Sequence, residues 1–241
     1  MLTPQFQVPL FCKPDPSVGP SLGPSPSLGP SLSLGMTKAG PSPSLSLGVG
    51  MTNHLLFSKD FPDLYGTISF RSLDLKNDLP VIHEWVQKDY ALEYWQMNGH
   101  FSQFFAMYQC MEFNPYSHSF VGLLDCLTPN PSPSGEGGMV CQFDVYSVFA
   151  DELRDHVSVE EHDCGFHLLM SPIKNPIAGL TVSVVKAFLE YYFSFPEAKR
   201  MYAEPDVSNE KSIVLLERLG FERIKTVQMS YKRAHVYCLT P

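Results

Sequence analysis

The sequence has no run of 18 or more apolar residues, so no segment reads as a membrane-spanning helix. Its six cysteines, at 12, 110, 126, 141, 164 and 238, contain no Cys-x-x-Cys pair. That removes the spacing of a zinc ribbon or a thiol–disulfide motif, and free thiols in a reducing cytosol are the plain reading. Positive charge is scarce: residues 51–241 carry 15 Lys and Arg against 24 Asp and Glu, and the whole chain has a formal charge of −8. A nucleic-acid surface needs clustered cations, so that class is excluded. An anionic small ligand is not excluded, because a few backbone N–H groups can hold phosphate within an acidic protein. The first residues show no charged stretch followed by a continuous apolar one, so no secretory signal is expected and a cytoplasmic location is.

What fills the first 50 residues is equally telling. Between Lys13 and Gly50, 24 of 38 residues are Pro, Ser or Gly, and only Lys13, Asp15 and Lys38 are charged. Such a stretch buries too little apolar surface to offset the entropy of ordering it, so residues 1–50 are expected to be a disordered tail. Gly23-Pro-Ser-Pro-Ser-Leu28 recurs as Gly40-Pro-Ser-Pro-Ser-Leu45, but a unit with only Leu to bury cannot stack into a solenoid core. A flexible extension or a start assigned too early remains, with Met36 and Met51 as later starts. Residues 51–241 are enough for one domain with a full core. Within it, Pro129-Asn-Pro-Ser-Pro-Ser-Gly-Glu-Gly-Gly138 echoes the tail and reads as a long surface loop.

Periodicity predicts strands over Thr67–Leu73, Ser119–Leu127, Val140–Phe149, Asp163–Met170, Lys199–Glu204, Phe221–Met229 and Arg233–Leu239. Helices are predicted after a cap at Asn77, over Ala91–Met97, Phe101–Met111 and Gly179–Phe193, and over Asn209–Leu219, where Gly220 suits the left-handed stop. In Gly179–Phe193 the apolar face is read as Val182, Val185, Phe188, Leu189 and Tyr192. This order predicts an α/β sandwich on a mixed sheet, not a Rossmann alternation.

Three places could carry chemistry. In Asp163-Cys-Gly-Phe-His167, strand alternation puts Asp163, Gly165 and His167 on one face, with Gly165 leaving room for a ligand. Cys164 falls on the other face, so His162, Cys164 and His167 do not make a metal site and none is expected. The turn from Pro172 through Lys174, Ala178 and Gly179 to Leu180 and Thr181 runs from a strand end into a helix, whose first N–H groups favour phosphate. In Glu204-Pro-Asp-Val-Ser-Asn209, Pro205 breaks a strand and exposes Asp206 at its C-terminal edge, where open α/β sheets place ligands. Each has a plain structural reading: a core histidine, an ordinary helix start, a solvated acid beside a cap.

Taken together, strand, phosphate turn, helix, strand, acidic turn and a helix ending in Gly-Phe resemble the GNAT superfamily of acyl-CoA transferases. Within it the chain resembles the siderophore-biosynthesis acyltransferases of the aerobactin and mycobactin type. The matching pieces are Phe70-Arg-Ser-Leu-Asp74, His83-Glu-Trp85, Tyr94-Trp95, Asp144-Val-Tyr146, Asp163-x-Gly-x-His167, Gly179-Leu-Thr181, Glu204-Pro-Asp-Val-x-Asn209, Gly220-Phe221 and Lys232-x-Ala234. There are departures: of the superfamily's phosphate signature only the first Gly survives in Gly179-Leu-Thr181, Asp144 stands where the subfamily shows Glu, and Asn209–Leu219 lacks the Tyr that many relatives use to protonate the leaving thiolate.

The resemblance implies a GNAT fold, a mixed central sheet flanked by helices, and transfer of an acyl group from acyl-CoA to an N-hydroxylated lysine or diamine. Acyl-CoA would be a co-substrate, with no permanently bound cofactor. It implies His167 as general base, chosen because its ordinary pKa lies near neutrality, and Asp206 as its companion. Leu168, Leu169, Lys174, Ala178, Gly179, Leu180, Thr181 and Asn209 would hold the CoA. Trp95, Asp144, Tyr146, Asp163 and Glu204 would line the acceptor pocket. An aminoglycoside N-acetyltransferase and a catalytically silent CoA-binding regulator are the alternatives.

Overall fold

The computed structural model describes residues 54–64, 66–95, 97–126, 138–173 and 176–241. The Pro/Ser/Gly tail, nearly all of the Pro129–Gly138 loop, and Lys174 lie outside the described residues.

Eight strands form one sheet: β1 (Phe57–Phe61), β2 (Gly66–Ser72), β3 (Ser117–Cys126), β4 (Gly138–Ser147), β5 (Cys164–Met170), β6 (Met201–Ala203), β7 (Glu222–Gln228) and β8 (Arg233–Leu239). Their order is β1-β2-β3-β4-β5-β6-β8-β7, and every neighbouring pair is antiparallel except β5–β6. The crossover that a parallel pair requires is supplied by helix α4 (Leu180–Phe193). Three further helices, α1 (Leu79–Val86), α2 (Asp89–Leu92) and α3 (Phe101–Glu112), lie between β2 and β3, and α5 (Glu210–Arg218) lies between β6 and β7.

The sheet is covered on both faces. Alternate residues of β4 and β5 make two sets, as a pleated strand requires. Phe143 and Phe166 meet Phe188 of α4, and Phe143 and Phe188 stack with centroids 4.1 Å apart. On the other face Leu169 and Val121 pack with Leu79, Ile82, Phe104 and Tyr108 of α1 and α3. The apolar stripe of α4 is wider than periodicity suggested: Val184, Ala187 and Tyr191 are buried with Val185, Phe188, Leu189 and Tyr192, while Val182 is only partly covered. Truncating a fully buried ring such as Phe188 to Ala typically costs about 3–5 kcal/mol.

Asp78 rather than Asn77 stands at the cap position of α1, and its side chain makes no bond to the first N–H groups of the helix. Arg71 Nη1 and Nη2 donate to the two Asp78 oxygens at 2.6 and 2.8 Å, and the Asp74 N–H donates at 2.7 Å. The buried Asp78 carboxylate is engaged by that bidentate guanidinium. The helix expected over Ala91–Met97 is one turn, Asp89–Leu92, followed by a turn to Trp95. The β1 edge strand was not foreseen, since its alternation is short. The stop at Gly220 holds, with φ at +88°.

Candidate active site

The parallel pair β5–β6 is joined at only two rungs, Cys164 with Met201 and Gly165 with Tyr202. Beyond Tyr202 the pairing with β5 stops while the chain stays beside β8 through Asp206, and β5 continues to Met170. A cleft of about 820 Å³ opens where the strands part, lined by Phe166 to Met170 on one wall and by Ala203 to Asp206 with the head of α5 on the other.

The splay leaves one edge of β5 without a strand beside it. The Cys164 N–H donates to Arg200 O on the β6 side, and Tyr90 Oη donates to Met170 O at 2.7 Å from within the cleft. The Ser171 N–H instead donates to Val140 O beside β4. Strand alternation therefore turns the N–H groups of Leu168 and Met170 toward the cleft, and those of His167 and Leu169 toward β4. Leu169, expected to touch CoA, directs its side chain into the α1–α3 core. The cleft-facing donor of that pair is Leu168.

His167 lines the cleft with its side chain 26 % exposed. Its Nδ1 lies 3.6 Å from Glu204 Oε1, and Lys232 Nζ lies 3.6 Å from the same oxygen. The other Glu204 oxygen accepts from Tyr146 Oη at 2.5 Å. The Tyr146 ring stacks on the imidazole with centroids 5.1 Å apart and planes 25° from parallel, and Trp95 meets it edge-on at 6.3 Å. Burial lowers the His167 pKa; Glu204 and Asp144 pull it up, Lys232 pushes it down, and the balance lies below the usual value. The ring is thus neutral near neutral pH, as a proton acceptor must be. Burial would raise Glu204, but Lys232, His167 and Tyr146 outweigh it and keep the carboxylate ionised.

Asp206 also lines the cleft. Its Oδ1 accepts from the Ser208 N–H at 2.8 Å and from Ser208 Oγ at 2.6 Å. Burial works against its charge, yet those bonds and Lys232 hold its pKa below the ordinary carboxylate value. Asn209 caps α5, its Oδ1 accepting from the Ser212 N–H at 3.1 Å.

Two expected acceptor residues lie elsewhere. Asp163 precedes β5 rather than lying in it, roughly 13 Å along the chain from His167. Its oxygens accept from Arg200 Nε and Nη2 at 2.9 and 2.5 Å and from the Glu160 N–H at 2.7 Å, so it fastens the start of β5 to the approach to β6. Asp144 is buried opposite His167, where Tyr108, Ser119 and Gln142 all donate to it. Nor does Gly165 leave room for a ligand: a Cβ there would lie 2.2 Å from Tyr146 Cζ. The glycine accommodates the tyrosine on which His167 rests.

At the other end of the cleft Gly179 caps α4 with φ at +78° and offers no side chain to its first N–H groups. Thr181 lines the cleft, Ala178 is exposed, and Leu180 is buried in the core, so only its backbone could face a ligand. Nothing lies within 4 Å of a Cβ built on Gly179; the glycine is required by its φ rather than by crowding.

Sequence reasoning assigned no role to Lys232, although Lys232-x-Ala234 was among the matching pieces. A cation in a β7–β8 turn has no local signature of the carboxylate that it meets across the fold. Tyr90 and Tyr94 were also unassigned. They stand four residues apart, a helical-face spacing, and reach Met170 O and Ser208 O on opposite walls at 2.7 and 3.3 Å.

Residues 74–229 match the family described as an acetyltransferase (GNAT) domain. A Schizosaccharomyces pombe protein carrying the provisional name lysine N-acyltransferase is 27% identical over 186 residues, 74% of this chain. The chain spans about half (51%) of that relative's length. Among solved structures, an uncharacterized protein from Bacillus halodurans superposes with a TM-score of 0.68 at 23% identity, covering 76% of this chain and 89% of that one. An aminoglycoside acetyltransferase in complex with coenzyme A and kanamycin gives 0.60 at 19% identity, covering 72% and 94%. A spermidine N-acetyltransferase from Vibrio cholerae in complex with CoA and spermine gives 0.53 at 15% identity, covering 72% and 95%.

Proposed function

The chain belongs to the GNAT acetyltransferase family, and on that premise we propose that it transfers an acyl group from acyl-CoA to the nitrogen of an N-hydroxylated amine, a hydroxylysine or hydroxydiamine, yielding a hydroxamate for siderophore assembly. The observation that carries the transfer chemistry is a neutral imidazole backed by an ionised, buried carboxylate, set where β5 and β6 part. The thioester lies along the free edge of β5, its carbonyl oxygen on the N–H groups of Leu168 and Met170, which stabilise the oxyanion as it forms. His167 accepts the proton that the attacking nitrogen sheds. Asp206 orients the acceptor from the opposite wall. The diphosphate rests on the uncapped N-terminus of α4 at Ala178, Gly179 and Thr181. Trp95 walls the acceptor side.

The hydroxylated acceptor rests on the sequence resemblance of the Glu204-Pro-Asp-Val-x-Asn209 and His167 pieces, and the provisional lysine N-acyltransferase name of the fission-yeast relative supports a lysine-type amine as acceptor. A polycationic acceptor, an aminoglycoside or polyamine, is the second reading. It is favoured by the carboxylates of Glu93, Asp206 and Glu210 around the cleft. Mass spectrometry of reactions with acetyl-CoA and succinyl-CoA against hydroxylated and plain lysine and diamines, spermidine and kanamycin tests both. Hydroxamate products support the first reading. Acylated spermidine or kanamycin alone supports the second, and CoA binding without any product would mark a silent binder.

A further inference from the structure

Glu204, expected to meet substrate, lines the cleft, and its carboxylate is engaged within the protein. It is 4 % exposed, and its oxygens meet Tyr146, Lys232 and His167. Three separate segments converge on it: β4 through Tyr146, β5 through His167, and the β7–β8 turn through Lys232. A buried carboxylate is tolerated only when it is paired and hydrogen-bonded, and this one has three partners, one of them a residue of the cleft wall.

We propose that Glu204 is the positioning residue of the site: it sets the His167 ring with Nδ1 toward a buried carboxylate and Nε2 toward the acceptor, while Lys232 balances its charge when the ring is neutral. This rests on the reading of His167 as the base. At 3.6 Å the Nδ1–Oε1 contact is too long for a hydrogen bond and becomes a charge pair only when the ring is protonated, so Glu204 acts most strongly once His167 has taken the acceptor's proton. That proton leaves as the nitrogen's lone pair forms the C–N bond; the C–S bond then breaks, the sulfur leaving with its electron pair. The imidazolium is paired with Glu204 until it passes the proton to solvent. Lys232 acts in the opposite sense, favouring the neutral ring before transfer. The other groups facing the imidazole are Asp144 and Tyr146 from β4 and Trp95 after α2. Asp144 is held by its own three donors, and the Tyr146 phenol stays protonated because burial and then Glu204 push its pKa well up.

The test uses Glu204→Gln and Lys232→Met in the full chain, with His167 followed by NMR titration of its ring and by the acidic limb of the kcat/KM–pH profile. The two variants should move the His167 pKa in opposite directions, down in Glu204→Gln and up in Lys232→Met, each by about half a unit or more. The acidic limb should follow. At its plateau Glu204→Gln should lose about 10- to 100-fold in kcat, with CoA affinity unchanged. Shifts in the same direction, or none, would overturn the proposal, and Lys232→Met alone decides the sign if Glu204→Gln does not fold. Opposite NMR shifts with ordinary turnover in His167→Ala would uphold the positioning by Glu204 while sinking the assignment of His167 as base.

Discussion

Tyr146 occupies the space that any side chain at position 165 would need, its Cζ 2.2 Å from where a Gly165 Cβ would stand. The same phenol donates to Glu204 and its ring supports His167. Gly165→Ala must displace the tyrosine and loosen both contacts. We expect a loss of about 1–3 kcal/mol in unfolding free energy and, from the misplaced imidazole, roughly a 10²-fold loss of kcat. Adding Tyr146→Leu should recover stability by relieving the overlap, but not rate. Denaturant unfolding and steady-state kinetics on the single and double variants check both parts.

The Gly165–Tyr146 contact shows where sequence reading succeeds and where it stops. The glycine between Asp163 and His167 was legible as a gap on one face, and His167 as a candidate base, and the structure lines the cleft with His167. What filled the gap was not visible, because Tyr146 reaches it across a β4–β5 register that no local pattern specifies. Asp163 failed for a related reason: alternation was extended one residue past the end of the strand, into a turn where Arg200 claims the carboxylate. The longer helices and most strands were legible from periodicity, and the stop at Gly220 from chemistry. The splay of β5 from β6 was legible only as Pro205, a strand breaker whose consequence depends on its neighbour.

The α4 N-terminus makes a separable claim. Gly179→Ala should cost about 1 kcal/mol from its left-handed φ and leave CoA affinity nearly intact, since nothing crowds that Cβ. Gly179→Glu adds a negative charge where we propose that the diphosphate rests, and CoA affinity should fall more than tenfold while the fold persists. Calorimetry on the pair checks it; equal affinities would place the phosphates elsewhere.

Asp206 carries both a turn and a proposed role at the acceptor. Asp206→Asn keeps an oxygen for the Ser208 N–H, so the turn and the melting temperature should survive while kcat drops at least tenfold. Asp206→Ala should lose both, since an uncapped turn costs about 1 kcal/mol. Ordinary turnover in the Asn variant would leave Asp206 a turn-former only.

Stability should respond to pH through His118, which burial pushes down to about 4 from an ordinary 6.5. The folded state refuses a proton that the unfolded chain accepts. His118 therefore contributes full stability above pH 6.5, and loses it as pH falls toward 4, by on the order of 3 kcal/mol. Asp151, which burial and then Glu204 raise to about 7, works in the opposite sense, losing stability as pH rises from 3.8 toward 7. Comparing wild type with His118→Gln isolates the histidine: the variant's unfolding free energy should decline less between pH 6.5 and 4.5.

The account turns on His167 as the group that takes the proton in acyl transfer. The most direct measurement is the kcat of His167→Ala, with acetyl-CoA affinity determined on the same preparation by calorimetry. We predict a loss of ~10²–10⁴ in kcat, in the range typical for removal of a general base, with the dissociation constant changed less than about threefold. A kcat within about threefold of wild type, accompanied only by a lower melting temperature, would contradict the account and leave His167 as a packed histidine beside the cleft.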